Sequence, residues 1–229
     1  MYSNKKLARV AGLLFLILVL CGVFAEFFVR SKMFVPGDTV ATIENIKASE
    51  WLFRLGIVSD LVMSIAFFFF PFALYLIFKQ INTFQSKVMV ASVMIAVAIY
   101  CMNMLNQVAV LLLTSGADYL NAFETDQLDG LAIFFLKMHT NGYFIDQIFY
   151  GLYLLPLGYM IFKSGIIPKI IGIMLMLGCI GDLIDVGMYF LFPNHESVFF
   201  SNITIPADIG EISLCLWLLI KGVKDPKEI

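Results

Sequence analysis

The residues of this sequence that could do chemistry are seven carboxylates that lie inside long apolar stretches. They are Glu26, Asp60, Asp146, Asp182, Asp185, Asp208 and Glu211. A charge in hydrocarbon is costly, so such residues face a bundle interior, pair with each other, or mark a pathway. The bases near them are Arg54 and Lys137, with His139 as a possible third. Two cations cannot neutralise seven anions, so we expect the other carboxyls to be protonated, cation-bound or hydrated.

Spacing indicates which of these groups act together. Asp182 and Asp185 are three residues apart, and Asp208 and Glu211 repeat that arrangement. Residues three or four apart share one face of a helix. If these faces point inward, the candidate ligand- or cation-binding residues form one shell around a common site. Its members are Glu211, Asp208, Asp182, Asp185, Asp146, His139, Arg54, Asp60 and Glu26.

One chemistry that fits this shell is the binding of a cation or proton. In this interpretation Glu211, Asp182 and Asp208 bind the cationic group, because these carboxylates lie deep in the apolar stretches. Arg54 and His139 then gate the mouth of the site or pair with anionic parts of a ligand. This interpretation predicts a small ligand, cation or proton that enters from the extracytoplasmic side.

Metal binding is an alternative. Carboxylates with one histidine suit zinc, manganese or iron, and sets of oxygen ligands suit calcium or magnesium. The candidate ligands are His139, Asp182, Asp185 and Glu211. A bound metal would activate water in a hydrolase that acts on an amphiphile. The sequence contains no H-E-x-x-H pattern, and His195 falls in a predicted loop.

A purely structural role is the third alternative. Here Arg54 pairs with Asp60 or Glu26 near the lipid headgroups, and the remaining acids cap helices or stay protonated. The protein would then be a non-catalytic membrane scaffold or sensor. The residues leave all three alternatives open, and they specify neither a cofactor, a ligand nor an oligomeric state.

Composition places all these residues in a membrane. Of the 229 residues 61% are hydrophobic and 14% are charged, and the mean hydropathy is +0.92. Soluble domains are about 25% charged, so a water-soluble core is excluded and the lipid bilayer is the expected partner. No basic block indicates a nucleic-acid partner.

Six stretches reach the length of about 20 apolar residues that a membrane-spanning helix needs. Open strands would leave backbone groups unsatisfied in lipid, so each stretch is predicted to be a helix. The charge order of the N-terminus resembles a signal peptide, but its apolar run is long, so we interpret it as a retained first span. The fold class predicted is all-α, one domain over 1–229, with spans at roughly 8–29, 52–78, 88–113, 139–162, 168–192 and 203–220.

The distribution of basic residues orients these spans. Basic residues concentrate in cytoplasmic loops, and the loops of one side hold only Arg30, Lys32 and Lys47. Both termini are therefore predicted to be cytoplasmic. The predicted cytoplasmic residues are Lys5, Lys6, Arg9, Lys79, Lys87, Lys163, Lys169, Lys221, Lys224 and Lys227.

Depth within the spans predicts a cavity. At about 1.5 Å per residue, Glu211 lies about 15 Å above Lys221, and Asp182 lies about 20 Å above Lys169. Every span contributes polarity, and it falls in the outer half of the bilayer. We predict a polar acidic cavity there, built from spans 2, 4, 5 and 6 and edged by span 1.

The loop at residues 114–138 carries an apolar stretch from Leu131 to Leu136. This pattern is typical of an interfacial helix that leads into span 4. The alternative is that span 4 itself extends well outside the bilayer.

One run of residues resembles a known family. It reads His139…Gly142…Phe149-Tyr150-Gly151-Leu152…Leu157-Gly158-Tyr159…Lys163-Ser164-Gly165…Pro168…Gly172, with Arg9…Ala11-Gly12, Glu26 and Leu52-Phe53-Arg54…Asp60 before it. It is similar to a bacterial polytopic membrane family known as domain of unknown function 4386. The resemblance covers nearly the whole chain and implies a six-span protein of the bacterial inner or plasma membrane. It implies no activity and supplies no catalytic residues.

Overall fold

The computed structural model describes residues 4–192 and 202–223, and every regular element in these ranges is helical. The predicted all-α class is therefore confirmed for this part of the chain. The principal helices are α1 (Asn4–Val23), α2 (Thr39–Ala48), α3 (Glu50–Phe78), α4 (Thr83–Leu113), α5 (Thr125–Ser164), α6 (Lys169–Leu191) and α7 (Ile205–Ile220). A short 3₁₀ turn, Asp118–Leu120, precedes α5.

Five helical stretches are long and apolar enough to cross a membrane. Their outer surfaces carry large apolar side chains that no protein covers, such as Leu13, Ile65 and Ile180, each more than half exposed. Apolar surface on this scale needs lipid around it. The five stretches are Asn4–Met33, Glu50–Phe78, Thr83–Leu113, Thr125–Ser164 and Lys169–Leu191.

The sixth predicted span corresponds to α7, which has 16 residues. At about 1.5 Å per residue it is about 24 Å long, shorter than the hydrocarbon core of about 30 Å. Helix α7 is accordingly not among the five candidate spans. The count of six spans and the cytoplasmic termini stay predictions.

The first span is longer than predicted. Helix α1 continues as a π-helix over Phe24–Arg30 and ends in a short turn, Ser31–Met33. Placing Arg30 in a loop was therefore wrong. The wider turns of a π-helix are often found at functional sites, and here they place Glu26 and Arg30 on the same helical segment.

Helix α5 runs without a break for 40 residues. Of the two alternatives for residues 114–138, the extension of span 4 predicts one continuous helix, and from Thr125 onward the structure has one. At about 1.5 Å per residue the helix is about 60 Å long, roughly twice the hydrocarbon thickness. Part of α5 must therefore lie outside the hydrocarbon.

The chain divides into two compact units. Unit 1 comprises Met1–Leu16, Ala66–Ala98 and Phe144–Ile229, and unit 2 comprises Ile17–Ile65 and Ile99–Tyr143. Helices α1, α3, α4 and α5 contribute residues to both. Each unit has its own packing and its own buried polar groups.

Unit 1 depends on glycines where its helices approach each other. A Cβ added to Gly158 of α5 would lie 2.5 Å from the carbonyl oxygen of Gly172 in α6. A Cβ added to Gly178 of α6 would lie 2.6 Å from the Cα of Ala207 in α7. Small residues allow this close approach of membrane helices, and it fixes the position of the α5, α6 and α7 carboxylates.

Unit 2 has a separate apolar cluster. Asp38 caps α2 by accepting a hydrogen bond from the backbone N–H of Ala41 at 2.9 Å. Ile43 and Ile46, three residues apart on one face of α2, are then fully buried. The cluster comprises Val29, Met33, Ile43, Ile46, Phe53, Ile57, Val110, Leu111 and Ala132.

Candidate cation site

In unit 2 a buried carboxylate is neutralised by an arginine. Asp60 has no exposed surface, and Arg30 Nη1 lies 2.6 Å from its Oδ2. Arg30 Nε also lies 2.7 Å from Glu26 Oε2, and the Tyr100 hydroxyl donates to Asp60 Oδ1 at 3.0 Å. Both carboxylate oxygens of Asp60 are therefore satisfied, one of them by a cation.

The predicted pairing of Arg54 with Asp60 or Glu26 is wrong. Arg54 instead bonds Glu50, with Nη2 2.6 Å from Oε1, and both side chains are about half exposed. The physical reason is helix geometry: Glu50 is four residues from Arg54, whereas Asp60 is six residues away and lies on a different face of α3. Sequence reasoning missed Arg30 because it placed that residue outside the span.

His139 belongs to a ladder of amides in unit 2. Its Nε2 lies 2.8 Å from Gln107 Nε2, and Asn103 Nδ2 donates to its backbone carbonyl at 2.8 Å. Asn106 Nδ2 in turn donates to Asn103 Oδ1 at 2.9 Å. These hydrogen bonds hold α4 against α5.

In unit 1 a buried carboxylate is held by tyrosines instead of an arginine. Glu211 of α7 is buried and accepts hydrogen bonds from two phenols of α5. The Tyr150 hydroxyl lies 3.0 Å from each of its oxygens, and the buried Tyr153 hydroxyl donates to Oε1. Within the described ranges no lysine, arginine or histidine forms a salt bridge with Glu211.

Aromatic rings fix the two phenols that contact Glu211. The ring of Phe67 lies 5.3 Å from that of Tyr150 and 5.5 Å from that of Tyr153, centre to centre. The two tyrosine rings lie 5.4 Å apart and nearly perpendicular. Edge-to-face contacts at these distances are favourable, so the hydroxyls are oriented before any ligand binds.

Two further carboxyls of unit 1 have an oxygen without a partner. Asp182 Oδ2 and Asp146 Oδ1 are buried and, among the described residues, have no hydrogen-bond donor. Gly151 lies directly against Asp182, since a Cβ there would be 3.1 Å from Asp182 Oδ2. Buried polar atoms are almost always bonded, to protein or to ordered water, so at each of these oxygens a proton, a water molecule or a ligand would complete the bonding.

The remaining candidates of unit 1 differ in burial. Asp185 is partly exposed and accepts a hydrogen bond from Gln147 Nε2 at 3.0 Å. Asp208 is exposed, although it shares α7 with the buried Glu211. The structure therefore separates the predicted pairs into buried and exposed members, and His195 lies outside the described residues.

Sequence reasoning also missed the tyrosines. Asp146, Tyr150 and Tyr153 follow each other at intervals of four and three residues, which places them on one face of α5. That stripe was visible in the sequence. Its contact with Glu211, 61 positions away from Tyr150, depends on the packing of α5 against α7.

Metal ligands are not assembled in the part of the chain that the structure describes. No group of three or more histidine, cysteine, aspartate or glutamate side chains there could hold a metal ion. The proposed ligands His139, Asp182, Asp185 and Glu211 gain no support from this result. The metal-dependent hydrolase and the scaffold stay predictions.

An all-α chain with five membrane-length apolar helices and buried carboxylates is an integral, multi-pass membrane protein. The chain belongs to the family described as Domain of unknown function (DUF4386), whose sequence profile matches residues 10–222. This confirms the resemblance found in the sequence.

One relative is an uncharacterized protein of Archaeoglobus fulgidus, 32% identical over 80 residues. The match covers 35% of this chain and 46% of the archaeal protein, so it spans about half of that relative's length. No solved structure matches the chain.

Proposed function

We propose that this protein binds a small cation or a proton at a carboxyl site in unit 1 that is centred on Glu211. The observation that supports it is the contrast in neutralisation: Glu211 is buried, receives two tyrosine hydroxyls, and has no cationic partner among the described residues. Asp182 and Asp146, also in unit 1, each have a buried carboxyl oxygen without a hydrogen-bond partner among the described residues.

Moving an isolated carboxylate out of water costs several kcal/mol even after the surroundings relax, on the order of the penalty for one ion of a buried pair. Hydrogen bonds from neutral phenols offset part of this cost but do not remove the charge. A proton or a small cation removes it. The acid is therefore the binding group, and the tyrosines orient it.

The proposal includes the arrangement of the protein in its membrane. We propose six spans, both termini in the cytoplasm, and a location in the plasma membrane. In that arrangement Asp146, Asp182, Asp185 and Glu211 line an acidic cavity in the outer half of the bilayer. The cation or proton then reaches Glu211 from the extracytoplasmic side.

The test compares cation binding in the wild-type protein, Glu211→Gln and Asp208→Asn. The proposed site does not include Asp208, which the sequence had suggested as a cation ligand, because that side chain is exposed in the structure. Asp208→Asn is therefore a matched control that removes a carboxylate three residues away on the same helix. The detergent-purified proteins are heated at fixed pH with a panel of alkali and organic ammonium cations. We expect one cation to raise the thermal midpoint of the wild type and of Asp208→Asn, with no response in Glu211→Gln.

A panel without any response assigns the site to the proton. In that case the infrared spectrum of the wild type must contain the band of a protonated carboxyl that Glu211→Gln lacks. Absence of both the cation response and this band contradicts the proposed function.

A further inference from the structure

Helices α6 and α7 of unit 1 pack against each other in opposite directions. A Cβ added to Gly178 of α6 would lie 2.6 Å from the Cα of Ala207 in α7. A Cβ added to Gly210, further along α7, would lie 3.0 Å from Leu175 Cδ2, which belongs to an earlier turn of α6. Contacts that advance along one helix therefore go back along the other, so the two helices are antiparallel.

This packing brings Asp182 of α6 towards Glu211 of α7. Asp182 follows Gly178 by four residues, and Glu211 follows Ala207 by four residues. Residues four apart share a helix face, and each side chain leans toward the N-terminus of its own helix. In antiparallel helices the two carboxyls therefore lean back toward the same helix contact from opposite sides, and they lie within electrostatic range of each other.

The surroundings of Asp182 hold no compensating charge. Asp182 is 4% exposed and forms no salt bridge in the described part of the chain. The charged groups that act on it there are all acidic, namely Glu211 and Asp208 of α7 and Asp185 of its own helix. The other titratable neighbour is the thiol of Cys179, one turn earlier in α6. A negative charge on Asp182 would therefore add to the negative charges around it.

No water molecule or cation reaches the unbonded oxygen of Asp182. Its Oδ2 has almost no accessible surface and, among the described residues, no hydrogen-bond partner. On the side of α5, a Cβ added to Gly151 would already lie 2.8 Å from Asp182 Cβ, so not even a methyl group fits there. A missing hydrogen bond costs a neutral carboxyl less than a carboxylate. We therefore expect Asp182 to carry its own proton.

Glu211 differs from Asp182 because both of its oxygens are bonded. The hydroxyls of Tyr150 and Tyr153 donate to it, and donors of this kind stabilise the anionic form of a carboxyl. Glu211 is therefore the member of the pair that can release a proton. Exchange of that proton for a singly charged cation leaves the charge of the buried site unchanged, whereas a doubly charged cation would leave a costly buried positive charge.

On the basis of the proposed function, we infer that Asp182 keeps its proton while Glu211 exchanges a proton for a cation, and that Asp182 thereby restricts the site to singly charged cations. Asp182 is then a residue that determines specificity without touching the cation. Only when Asp182 is ionised as well can two protons be exchanged for one doubly charged cation.

Infrared spectra of the detergent-purified protein test the charge state. Wild type, Asp182→Asn and Glu211→Gln are compared in a buffer without small cations and again with the cation that the panel selects. We expect Asp182→Asn to lack a protonated-carboxyl band of wild type in both buffers, whereas Glu211→Gln lacks one only in the first. Isotope-labelled aspartate separates the aspartate bands from the glutamate bands, so wild type alone must also keep a protonated aspartate band when the cation is bound.

Thermal midpoints measured with calcium and barium test the selectivity. We expect no rise for wild type at neutral pH, and a rise at a pH high enough to remove the Asp182 band. Asp182→Asn should lack this rise at both pH values. Asp208→Asn is the matched control, because Asp208 is an exposed carboxyl that also acts on Asp182, and it should show the same rise as wild type.

The inference is overturned by a carboxylate band from Asp182 in the cation-free buffer, by a rise with calcium or barium at neutral pH, by the same rise in Asp182→Asn, or by no rise after the Asp182 band has gone. If the rise at neutral pH is abolished by Glu211→Gln, the proposed function stands although the inference fails. A wild type without any cation response and without the Glu211 band contradicts the proposed function and, with it, the inference.

Discussion

Asp60 in unit 2 and Glu211 in unit 1 are both buried carboxyls that accept phenol hydroxyls, yet their neutralisation differs. Asp60 has Arg30 at 2.6 Å with Tyr100 on its other oxygen. Glu211 has Tyr150 and Tyr153 and, among the described residues, no cation. The same chain therefore contains one carboxyl with a built-in counterion and one without.

The difference separates a structural group from a binding group. A carboxylate that carries its own arginine gains little from an added cation, because its charge is already compensated. A buried carboxylate oriented by neutral donors alone keeps its negative charge, and a proton or a cation can neutralise that charge. Substitutions at each carboxyl and at its partners therefore test the difference.

The largest loss of unfolding free energy is expected for a substitution of Arg30. In Arg30→Gln the fully buried Asp60 loses its cation, and breaking a buried pair by removing one partner costs about 3–5 kcal/mol of unfolding free energy. Unfolding of the purified protein by a denaturing detergent measures this loss. The double variant Arg30→Gln, Asp60→Asn leaves no buried charge and should regain part of it. A single variant as stable as wild type would show that the pair does not neutralise Asp60.

A smaller loss of unfolding free energy is expected for a substitution where α4 and α5 meet in unit 2. A Cβ at Gly142 would lie 2.1 Å from Asn103 Oδ1, so Gly142→Ala must displace the amide that bonds the His139 carbonyl. Overpacking of this kind costs about 1–3 kcal/mol. Gly130→Ala on the same helix is the control, since a Cβ there meets nothing within 4 Å. Equal stabilities of the two variants would contradict the packing described.

Removing one phenol from Glu211 should cost less. Tyr153→Phe loses a buried hydrogen bond while Tyr150 retains its own, and one such bond contributes about 1 kcal/mol. The cation or proton affinity of the site should change more than the stability, because the phenols orient the carboxyl. Titration of the wild type and the variant in parallel measures the affinity, and unfolding by a denaturing detergent measures the stability. An unchanged affinity would remove Tyr153 from the site.

The smallest change in stability is expected for Glu211→Gln. An amide is a neutral isostere of a protonated carboxyl, and its one oxygen can accept from both phenols at the Oε1 position. The unfolding free energy should therefore shift by less than about 1 kcal/mol. All response to cations should disappear at the same time. A loss as large as that of Arg30→Gln would mean that Glu211 is a charged structural partner after all.

The sequence predicts the helices well because membrane thickness sets their length. Five of the six predicted stretches correspond to membrane-length helices, and the buried carboxyls Asp60, Asp146, Asp182 and Glu211 were all among the candidates. Apolar run length and charge position are local properties, so they can be read without knowing the fold.

The partners of these carboxyls could not be predicted in the same way. Arg30 stands in a stretch that resembles a loop, and only the π-helical extension of α1 brings it to Asp60, 30 positions away. The contact between Tyr153 and Glu211 joins residues 58 positions apart. Such pairs depend on how helices pack, which a single sequence leaves open.

Infrared difference spectroscopy of the detergent-purified protein tests the central claim most directly. Wild type is compared with Glu211→Gln and with Asp60→Asn, each in a buffer without small cations and again with the cation that the panel selects. We predict that Glu211→Gln removes a protonated-carboxyl band in the first condition, that the added cation converts this band to a carboxylate band in wild type, and that Asp60→Asn removes only a carboxylate band. A carboxylate band from Glu211 in the cation-free buffer, unchanged by any added cation, would contradict the account.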